Sequence, residues 1–273
     1  MDNRPIGFFD SGVGGITSIP HIMRLMPDER IIFFGDTART PYGSKSEDTI
    51  RQFAAQIGDF LVSKGVKMIV IACNTVSATC LSMLRERFPG IPVIGVISPT
   101  AREISKLCGR EDRIGILATR ATVRSGAYEK KILEFSPGLK LFSRECPAFV
   151  PLIEEGIIDN EIMDLTVKYY LDDFVRENDI NTLVLGCTHY PLIAGNIRRL
   201  YPDIKIISSS KEVATAVQME LESMDMLAEE GAGEGVENVF YASDLSESFV
   251  NMIERILKAD AADLDIHFKN LDI

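Results

Sequence analysis

Nine short runs of apolar, β-branched and aromatic residues recur along the chain, with amphipathic segments between several of them. These segments include Glu47–Lys64 and Thr75–Phe88, which carry apolar residues at helical spacing. Strands that alternate with helices form βαβ units, in which helices cover a mainly parallel sheet. The pattern therefore predicts an α/β fold. The predicted strands are Ile6–Phe9, Ile31–Phe34, Met68–Ala72, Pro92–Val96, Ile114–Ala118, Leu139–Phe142, Leu183–Gly186, Ile204–Ile207 and Val239–Tyr241.

Parts of the sequence repeat in the same order, which indicates two related halves. An Ile-Gly pair opens a strand at Ile6–Phe9 and again at Ile114–Leu117. Later in each half, an apolar run leads directly into a cysteine, within Ile69–Thr75 and within Leu183–His189. Ligands of parallel α/β sheets bind where strands end and helices begin. We therefore expect two similar three-layer α/β domains with mainly parallel sheets, pseudo-symmetric, with the active site in the cleft between them.

Composition and charge argue against several kinds of partner and site, namely nucleic acid, membranes, disulfides and metal ions. The formal net charge of −11 makes nucleic acid an unexpected primary partner, because phosphate binding needs a basic surface. The longest apolar runs are strand-length, well short of the ~20 residues of a membrane span. The N-terminus has no secretory signal pattern, so we expect a cytoplasmic protein without membrane association. Five cysteines without a CxxC pair or zinc spacing argue against a disulfide framework or a metal site.

Two of the cysteines directly follow a predicted strand. Cys73 stands where a helical pattern starts, and Cys187 stands in the same context before Pro191, which suits a first helical turn. Unpaired amides and the helix dipole favour an anion at such a position and would lower the pKa of a thiol there. A free cysteine is more often a small buried hydrophobe. We assign that structural role to the cysteines without this context, Cys80, Cys108 and Cys146.

The first predicted strand ends in a glycine-rich loop, Asp10–Gly15. Glycines let the backbone approach a ligand closely, and the amides of Gly12 to Gly15 could hold a carboxylate or phosphate. The glycines do not have the spacing of a dinucleotide-binding fingerprint, and no Gly-Lys-Ser/Thr follows as in a Walker A loop. Asp10 could equally cap a helix, which is the commoner use of such a residue.

Two further groups could contact a small polar ligand. Tyr42 and Gly43 follow a proline in a stiff turn that would offer a phenol and a free amide, although ordinary turns share this composition. His189 lies two residues after Cys187 and could exchange protons with its thiol, since histidine titrates near physiological pH. The remaining histidines belong to no acidic or thiol cluster and are interpreted as structural or exposed: His21 and His267.

Four segments together make the chain resemble the glutamate racemases. They occur in the family's order along the whole chain, and the set is far more specific than any one segment. The resemblance implies an isomerase that interconverts L- and D-glutamate without a cofactor or metal. It also implies a homodimer, and a supply of D-glutamate for peptidoglycan synthesis in cell wall biogenesis and cell shape. The segments are Phe9–Gly15, Asp36–Gly43, Ala72–Thr75 and Leu185–Leu192.

The resemblance also implies a role for each site residue. Cys73 and Cys187 would be the catalytic thiols, with Asp10 and His189 assisting proton transfer. Residues 1–98 plus 210–273 would form a first domain that carries Asp10 and Cys73. Residues 99–209 would form a second domain that carries Cys187 and His189. Substrate contacts are implied for Asp10, Ser11, Tyr42, Gly43, Asn74, Thr75, Thr188 and His189.

The sequence departs from the family pattern at two places. The family often has Asp within the stretch Ile206–Ser210, and a small residue where Thr100 follows Pro99. Both places lie at the expected domain crossings, so they bear on hinge and dimer geometry more than on chemistry. Glu154 aligns with a family carboxylate near the site, and we assign it no role. Aspartate racemases of similar architecture usually carry an acidic residue where His189 stands.

Racemisation removes the α-hydrogen from one face and returns a proton to the other, so two opposed acid/base groups are the direct solution. Without a cofactor, the carbanion must be stabilised by the retained ammonium and by groups fixed on the α-carboxylate. A pyridoxal enzyme would need a Schiff-base lysine, and none of the four segments contains one. Two alternatives stay open. One is a related aspartate or hydantoin racemase with the same thiols, and the other is a catalytically inactive small-anion-binding protein of the same fold.

Overall fold

The computed structural model of the protein describes residues 1–235, 237–259 and 261–271. In that part of the chain, ten strands form two sheets whose paired neighbours all run parallel. The nine predicted strands are present. The strands are β1 Ile6–Asp10, β2 Ile31–Gly35, β3 Met68–Ile71, β4 Val93–Gly95, β5 Arg113–Ala118, β6 Lys140–Glu145, β7 Thr182–Gly186, β8 Lys205–Ser208, β9 Val239–Ala242 and β10 Asp265–Phe268.

Helices connect the strands, and short 3-10 helices lie at several strand ends. None of the helices in the described ranges is long and apolar enough to cross a membrane. The 3-10 helices are Gly14–Ser18, Thr37–Arg39, Tyr42–Ser44, Tyr190–Ile193 and Ala261–Asp263. The α-helices are α1 Ile19–Leu25, α2 Glu47–Ser63, α3 Asn74–Arg87, α4 Ile97–Leu107, α5 Arg120–Ser125, α6 Ala127–Phe135, α7 Phe149–Glu154, α8 Glu161–Asn178, α9 Ala194–Leu200, α10 Ser209–Ser223 and α11 Glu247–Leu257.

The two sheets have the same kind of crossover connection about a central strand. The first has the strand order β10-β9-β2-β1-β3-β4, and the second has the order β6-β5-β7-β8. In each, the chain passes from a central strand to a neighbour on one side and then crosses to the other side. The crossing creates a switch point, β1/β3 in one sheet and β5/β7 in the other, where ligands of open α/β sheets bind. Phe9 pairs with Ile71 across the first switch point, and Leu117 pairs with Leu185 across the second.

The core follows from the two faces of each strand, because successive strand residues point to opposite sides of a sheet. Phe9 of β1 packs in a core with α2 and α3, whereas Phe8 packs in a core with α1, α10 and α11. The latter core continues into the second sheet, where it includes Ile116. Parallel sheets covered by helices on both sides confirm the predicted fold class of two α/β domains.

One strand was not predicted. β10 reads Asp-Ile-His-Phe and lies at the edge of the first sheet, with half-buried and exposed side chains. An edge strand needs no continuous apolar run, so hydrophobic periodicity does not reveal it. His267 of this strand forms an ion pair with Asp265 at 2.6 Å and stacks on Tyr241, which agrees with an exposed structural role.

The expected domain boundaries stay a prediction. Strands β1–β4, β9 and β10 fall within residues 1–98 plus 210–273, and strands β5–β8 fall within residues 99–209. The crossing at 98/99 lies inside α4, and the crossing at 209/210 lies at the start of α10. The two halves therefore meet through packed helices, since α4 and α10 also contact each other.

Candidate active site

Cys73 and Cys187 occupy equivalent places in the two sheets. Cys73 follows β3 as the N-cap residue of α3, and Cys187 follows β7, so each stands at a switch point. Only 4% of Cys73 and 6% of Cys187 is exposed, so both thiols are shielded from bulk water. Burial, then the charges of Asp10 and Cys187, raise the pKa of Cys73. Cys73 donates to Ser11, the residue after Asp10, and Asp10 accepts from Thr188, the residue after Cys187, so both predicted thiols belong to one site.

The expected lowering of the Cys73 pKa is not the net result, although the helix start does act in that direction. Burial raises the pKa and Asp10 raises it further, while hydrogen bonds with Ser11 and the Val76 amide oppose the shift. The Cys73 thiol donates to Ser11 Oγ at 3.3 Å. Desolvation of a thiolate in this closed site outweighs the favourable helix terminus. A cation placed beside the sulfur would shift the balance towards the thiolate.

Asp10 lies at the end of β1 and is completely buried. Its Oδ2 accepts hydrogen bonds from the Gly15 amide at 3.0 Å and the Gly12 amide at 3.3 Å. The prediction that these glycine amides hold a ligand anion is corrected here, because two of them bind the Asp10 carboxylate. Burial raises the pKa of Asp10, whereas the charge of His189 and the two amides lower it. Asp10 therefore binds a proton more readily than an exposed aspartate does.

His189 connects the second thiol to a carboxylate. Its Nδ1 lies 3.9 Å from Cys187 Sγ, and its Nε2 lies 2.5 Å from Glu154 Oε1 at the end of α7. Burial lowers the pKa of His189, but its hydrogen bonds to Cys187 and Glu154 raise it, and the net pKa lies well above the ordinary value. The site thus stabilises an imidazolium beside Cys187. Glu154, to which the sequence assigned no role, is the second partner that raises this pKa, after Cys187.

Thr188 joins the two halves of the site. Its hydroxyl donates to both carboxylate oxygens of Asp10, each at 3.4 Å, although Asp10 belongs to the first sheet and Thr188 follows the second. Gly14 makes this approach possible. A Cβ on Gly14 would lie 2.5 Å from Thr188 Oγ1 and 2.6 Å from His189 Nδ1. The glycine-rich loop therefore lets the two halves close, in addition to holding Asp10.

The Tyr42–Gly43 turn lies at the same site, with its phenol already engaged. The Tyr42 hydroxyl donates to Asp36, whose carboxylate also accepts from Ser243 Oγ at 2.8 Å and pairs with Arg39. The phenol thus holds the turn in place. A ligand could therefore contact the backbone of this turn, since the phenol is already hydrogen-bonded. A Cβ on Gly43 would lie 2.5 Å from Thr119 Cβ, so this glycine allows a second close contact between the halves.

Asn74 and Thr75 open α3 and contact residues of the second half. Asn74 Oδ1 accepts from the Tyr128 hydroxyl at 2.6 Å. Thr75 Oγ1 lies 2.9 Å from Thr119 Oγ1, and Thr119 Oγ1 lies 3.1 Å from Thr122 Oγ1. The three threonines form a buried hydroxyl cluster that can hydrogen-bond an anionic group.

The sequence reasoning missed Thr119, Thr122 and Tyr128. A signal existed for Thr119, because it directly follows β5 at the switch point and caps α5 by accepting from the Thr122 amide at 3.4 Å. No pattern pointed to Tyr128, which reaches the site only through the packing of α6. In the described residues, no group of three or more His, Cys, Asp or Glu side chains could hold a metal ion.

The other cysteines have different surroundings. Cys80 is buried in the core formed with α2 and α3, and Cys108 follows α4. Cys146 follows β6, and its carbonyl accepts from the hydroxyl of Tyr190, three residues beyond Cys187, at 2.9 Å. Of the two family departures, Thr100 donates to the Val96 carbonyl at 2.7 Å, and Ser208 caps α10 by accepting from the Ser210 amide at 3.5 Å. Ser208 therefore makes a local helix contact, whereas Thr100 also hydrogen-bonds Tyr128, the partner of Asn74.

Comparison with known proteins agrees with this geometry. A family model described as Asp/Glu/Hydantoin racemase matches residues 20–217. A glutamate racemase of Persephonella marina is 42% identical, with 98% of this chain and 97% of the relative covered. A solved glutamate racemase of Francisella tularensis in complex with D-glutamate is 38% identical, with a TM-score of 0.91 over 100% of this chain and 99% of that one. A solved glutamate racemase of Bacillus anthracis also has a TM-score of 0.91, at 35% identity and full coverage of both chains. The chain therefore belongs to the glutamate racemases within the Asp/Glu/Hydantoin racemase family.

Proposed function

We propose that the protein interconverts L- and D-glutamate without a cofactor, with Cys73 and Cys187 as its two acid/base groups. The observation that carries this proposal is the pair of shielded thiols, one at each switch point, whose neighbouring residues are joined by the hydrogen bond from Thr188 to Asp10. One thiolate removes the α-proton, and the C–H electron pair stays on the substrate as a carbanion. The opposite thiol then donates its proton to the other face, and the roles exchange for the other enantiomer.

In this shielded site, the positive charge of the substrate itself helps to form the thiolate that deprotonates it. Burial raises the pKa of Cys73, so formation of its thiolate needs a nearby positive charge. The α-ammonium of glutamate supplies that charge in the position where the carbanion later forms. His189, whose net pKa is raised despite burial, supplies a second cation beside Cys187. Both charges act in a water-excluded site, where electrostatic stabilisation is strongest.

Polar groups around the thiols fit the rest of an amino-acid dicarboxylate. Ser11 and Thr188 adjoin Cys73 and Asp10, and Asn74 follows Cys73 directly, so these groups suit the α-carboxylate and ammonium. We assign the distal carboxylate to the hydroxyls of Thr75 and its cluster together with backbone amides of the Tyr42–Gly43 turn. Support comes from the Francisella relative, which was solved with D-glutamate.

The proposal is tested by circular dichroism of the purified protein with L-glutamate and no added cofactor. The ellipticity of the L-glutamate should decay to zero, and the ellipticity of D-glutamate in the same experiment should also decay to zero. Dialysis against EDTA and treatment with hydroxylamine should leave the rate unchanged. Activity lost in either treatment and restored by a metal or by pyridoxal phosphate would contradict the two-thiol mechanism.

A substrate panel separates the alternatives. Turnover of aspartate or a hydantoin in preference to glutamate would favour another activity of the wider family. Tight glutamate binding in calorimetry without turnover would favour an inactive anion-binding protein, although two intact thiols argue against it.

The cellular setting follows from the same proposal. We propose a cytoplasmic homodimer with domains of residues 1–98 plus 210–273 and 99–209, whose D-glutamate supplies peptidoglycan synthesis. Size-exclusion chromatography with light scattering tests the dimer.

A further inference from the structure

The side-chain amide of Asn74 has one end bonded and one end unpaired. Asn74 is 2% exposed, and its Oδ1 accepts from the Tyr128 hydroxyl at 2.6 Å. Its Nδ2 is buried and has no hydrogen-bond partner among the residues that the structure describes. Buried polar groups are almost always paired in native proteins, so an unpaired donor calls for a ligand or a functional explanation. Here the unpaired donor belongs to the residue next to Cys73.

We propose that Tyr128 is a positioning residue that fixes the orientation of the Asn74 amide, so that Nδ2 is presented to the substrate carboxylate. The inference rests on the proposed function and concerns a residue outside the sequence motifs. An amide can rotate by half a turn, which exchanges a donor for an acceptor at nearly the same place. Turned the wrong way, Asn74 would direct its oxygen at the carboxylate and repel it. A hydroxyl that donates to Oδ1 selects the favourable orientation.

Tyr128 can fix the orientation of the Asn74 amide because its hydroxyl carries a proton. Burial raises the pKa of Tyr128, against a hydrogen bond with Thr100 that lowers it, so the phenol keeps its proton and can donate it to Asn74 Oδ1. Tyr128 is 1% exposed, which also removes water as a competing partner for the amide.

The contact also makes the orientation of Asn74 depend on closure of the site. Asn74 begins α3, which packs on the first sheet, whereas Tyr128 lies on α6 beyond β5 of the second sheet. A separation of the two halves would remove the hydroxyl partner of the amide. Asn74 is therefore held in its binding orientation only when the two thiols also face a common site.

The test is a double-mutant cycle on kcat/KM for both enantiomers. Tyr128→Phe keeps the ring and removes the hydroxyl, and it should lower kcat/KM about 10- to 100-fold, the cost of a hydrogen bond to a charged group. The loss should be equal for L- and D-glutamate, with KM rising more than kcat falls. In an Asn74→Ala background, the same substitution should change kcat/KM by less than about twofold, because interacting residues are non-additive.

Tyr170→Phe is the matched control. It removes a hydroxyl that accepts from the Ala148 amide at 3.1 Å, away from the thiols, and should leave kcat/KM within about twofold. An equal loss from Tyr128→Phe in both backgrounds would show a purely structural role and overturn the inference, as would unchanged kcat/KM in Tyr128→Phe alone. Inactivity of the unaltered protein would instead contradict the proposed function, which keeps the two failures distinct.

Discussion

The surroundings of Cys73 and Cys187 differ more than their positions in the fold. Both follow the strand across a switch point, at matching register in two related sheets. Cys73 has Ser11 and the carboxylate of Asp10 nearby, which makes its neighbourhood anionic. Cys187 has an imidazole whose pKa is raised despite burial. The symmetry of the fold therefore positions two similar thiols, and the loops after the strands give them different partners.

The origin of each partner explains this difference. Asp10 comes from the end of β1, the central strand of the first sheet, whereas the central strand of the second sheet ends at Ala118 followed by Thr119. The second half therefore has no equivalent of Asp10. Its titratable partner is His189, two residues beyond Cys187 itself, with Glu154 behind it. Substitutions on the two sides can show how far the thiols act independently.

The largest effect is expected from removal of either thiol. Cys73→Ala and Cys187→Ala should each lower racemisation by roughly 10²- to 10⁴-fold, the usual contribution of a positioned acid/base group. Both directions should suffer, because every turnover uses both sulfurs. Circular dichroism from each enantiomer measures this. Cys80→Ala, Cys108→Ala and Cys146→Ala serve as controls and should stay within about fivefold, since their cost is packing. Full activity in either thiol variant would refute the assignment.

A methyl group between the halves should have the next largest effect. Gly14→Ala would place its Cβ 2.5 Å from Thr188 Oγ1 and 2.6 Å from His189 Nδ1. Displacement of these groups by about an ångström should lower kcat/KM roughly 10²-fold. Gly195→Ala is the matched control, because a Cβ there has nothing within 4 Å and the residue lies in α9. Equal rates for the two variants would show that Thr188 and His189 need no fixed position.

Asp10→Asn and His189→Asn test whether each partner serves one thiol. We propose that Cys187 removes the proton from L-glutamate, so His189→Asn should lower kcat roughly tenfold more for L- than for D-glutamate. Asp10→Asn should show the opposite bias. Enantiomers have equal free energy in water, so the bias must appear in kcat and KM together while kcat/KM stays equal in the two directions. Initial rates from both enantiomers decide this.

The Thr188 bridge gives that comparison a second possible outcome. Thr188 donates to Asp10 from the loop that carries His189, and the charge of His189 lowers the pKa of Asp10, against the larger raising effect of burial. If both variants depress kcat equally in the two directions, Asp10 and His189 act as one linked unit. The picture of one partner per thiol would then be wrong.

The smallest effect is a shift in pH dependence. Burial lowers the pKa of His189, but Cys187 and Glu154 more than offset it, so the imidazolium persists to higher pH. Glu154→Gln removes one of the raising partners, so the imidazolium should be lost at lower pH. The alkaline limb of kcat with L-glutamate should move to lower pH. Glu155→Gln, which alters an exposed neighbour, should leave the limb in place. If the alkaline limb of kcat did not move in Glu154→Gln, Glu154 would have no part in the proton transfer.

Much of the fold follows from local sequence. Apolar runs predicted nine strands, and their order predicted two parallel sheets, because buried strands and amphipathic helices leave distinct periodicities. The repeat of strand and cysteine also anticipated two equivalent switch points. The sequence did not predict β10, because an edge strand can carry polar residues, such as Asp265 and His267 here. The edge of a sheet is a tertiary property, so no local pattern reports it.

The site was less accessible to sequence reasoning than the fold. The motifs located the residues next to strand ends, including Asp10 and Cys73, since topology brings strand ends together. Glu154 and Tyr128 have functional positions only through distant packing, with Glu154 35 residues from His189 and Tyr128 54 residues from Asn74. The effect of burial on the pKa of Cys73 was likewise hidden, because solvent exclusion depends on both halves of the molecule.

The shielding of both sulfurs also determines where the transferred hydrogen comes from. In the proposed mechanism, a hydrogen removed from one face stays on its sulfur while the site is shielded, and the other face receives a different hydrogen already held by the opposite sulfur. Exchange of either hydrogen with water then requires access of solvent to the sulfurs. In heavy water, a molecule converted once should therefore gain deuterium, whereas one released unconverted should keep the hydrogen it brought. Deuterium at the α-carbon of the starting enantiomer would then report that solvent reached the site between two conversions.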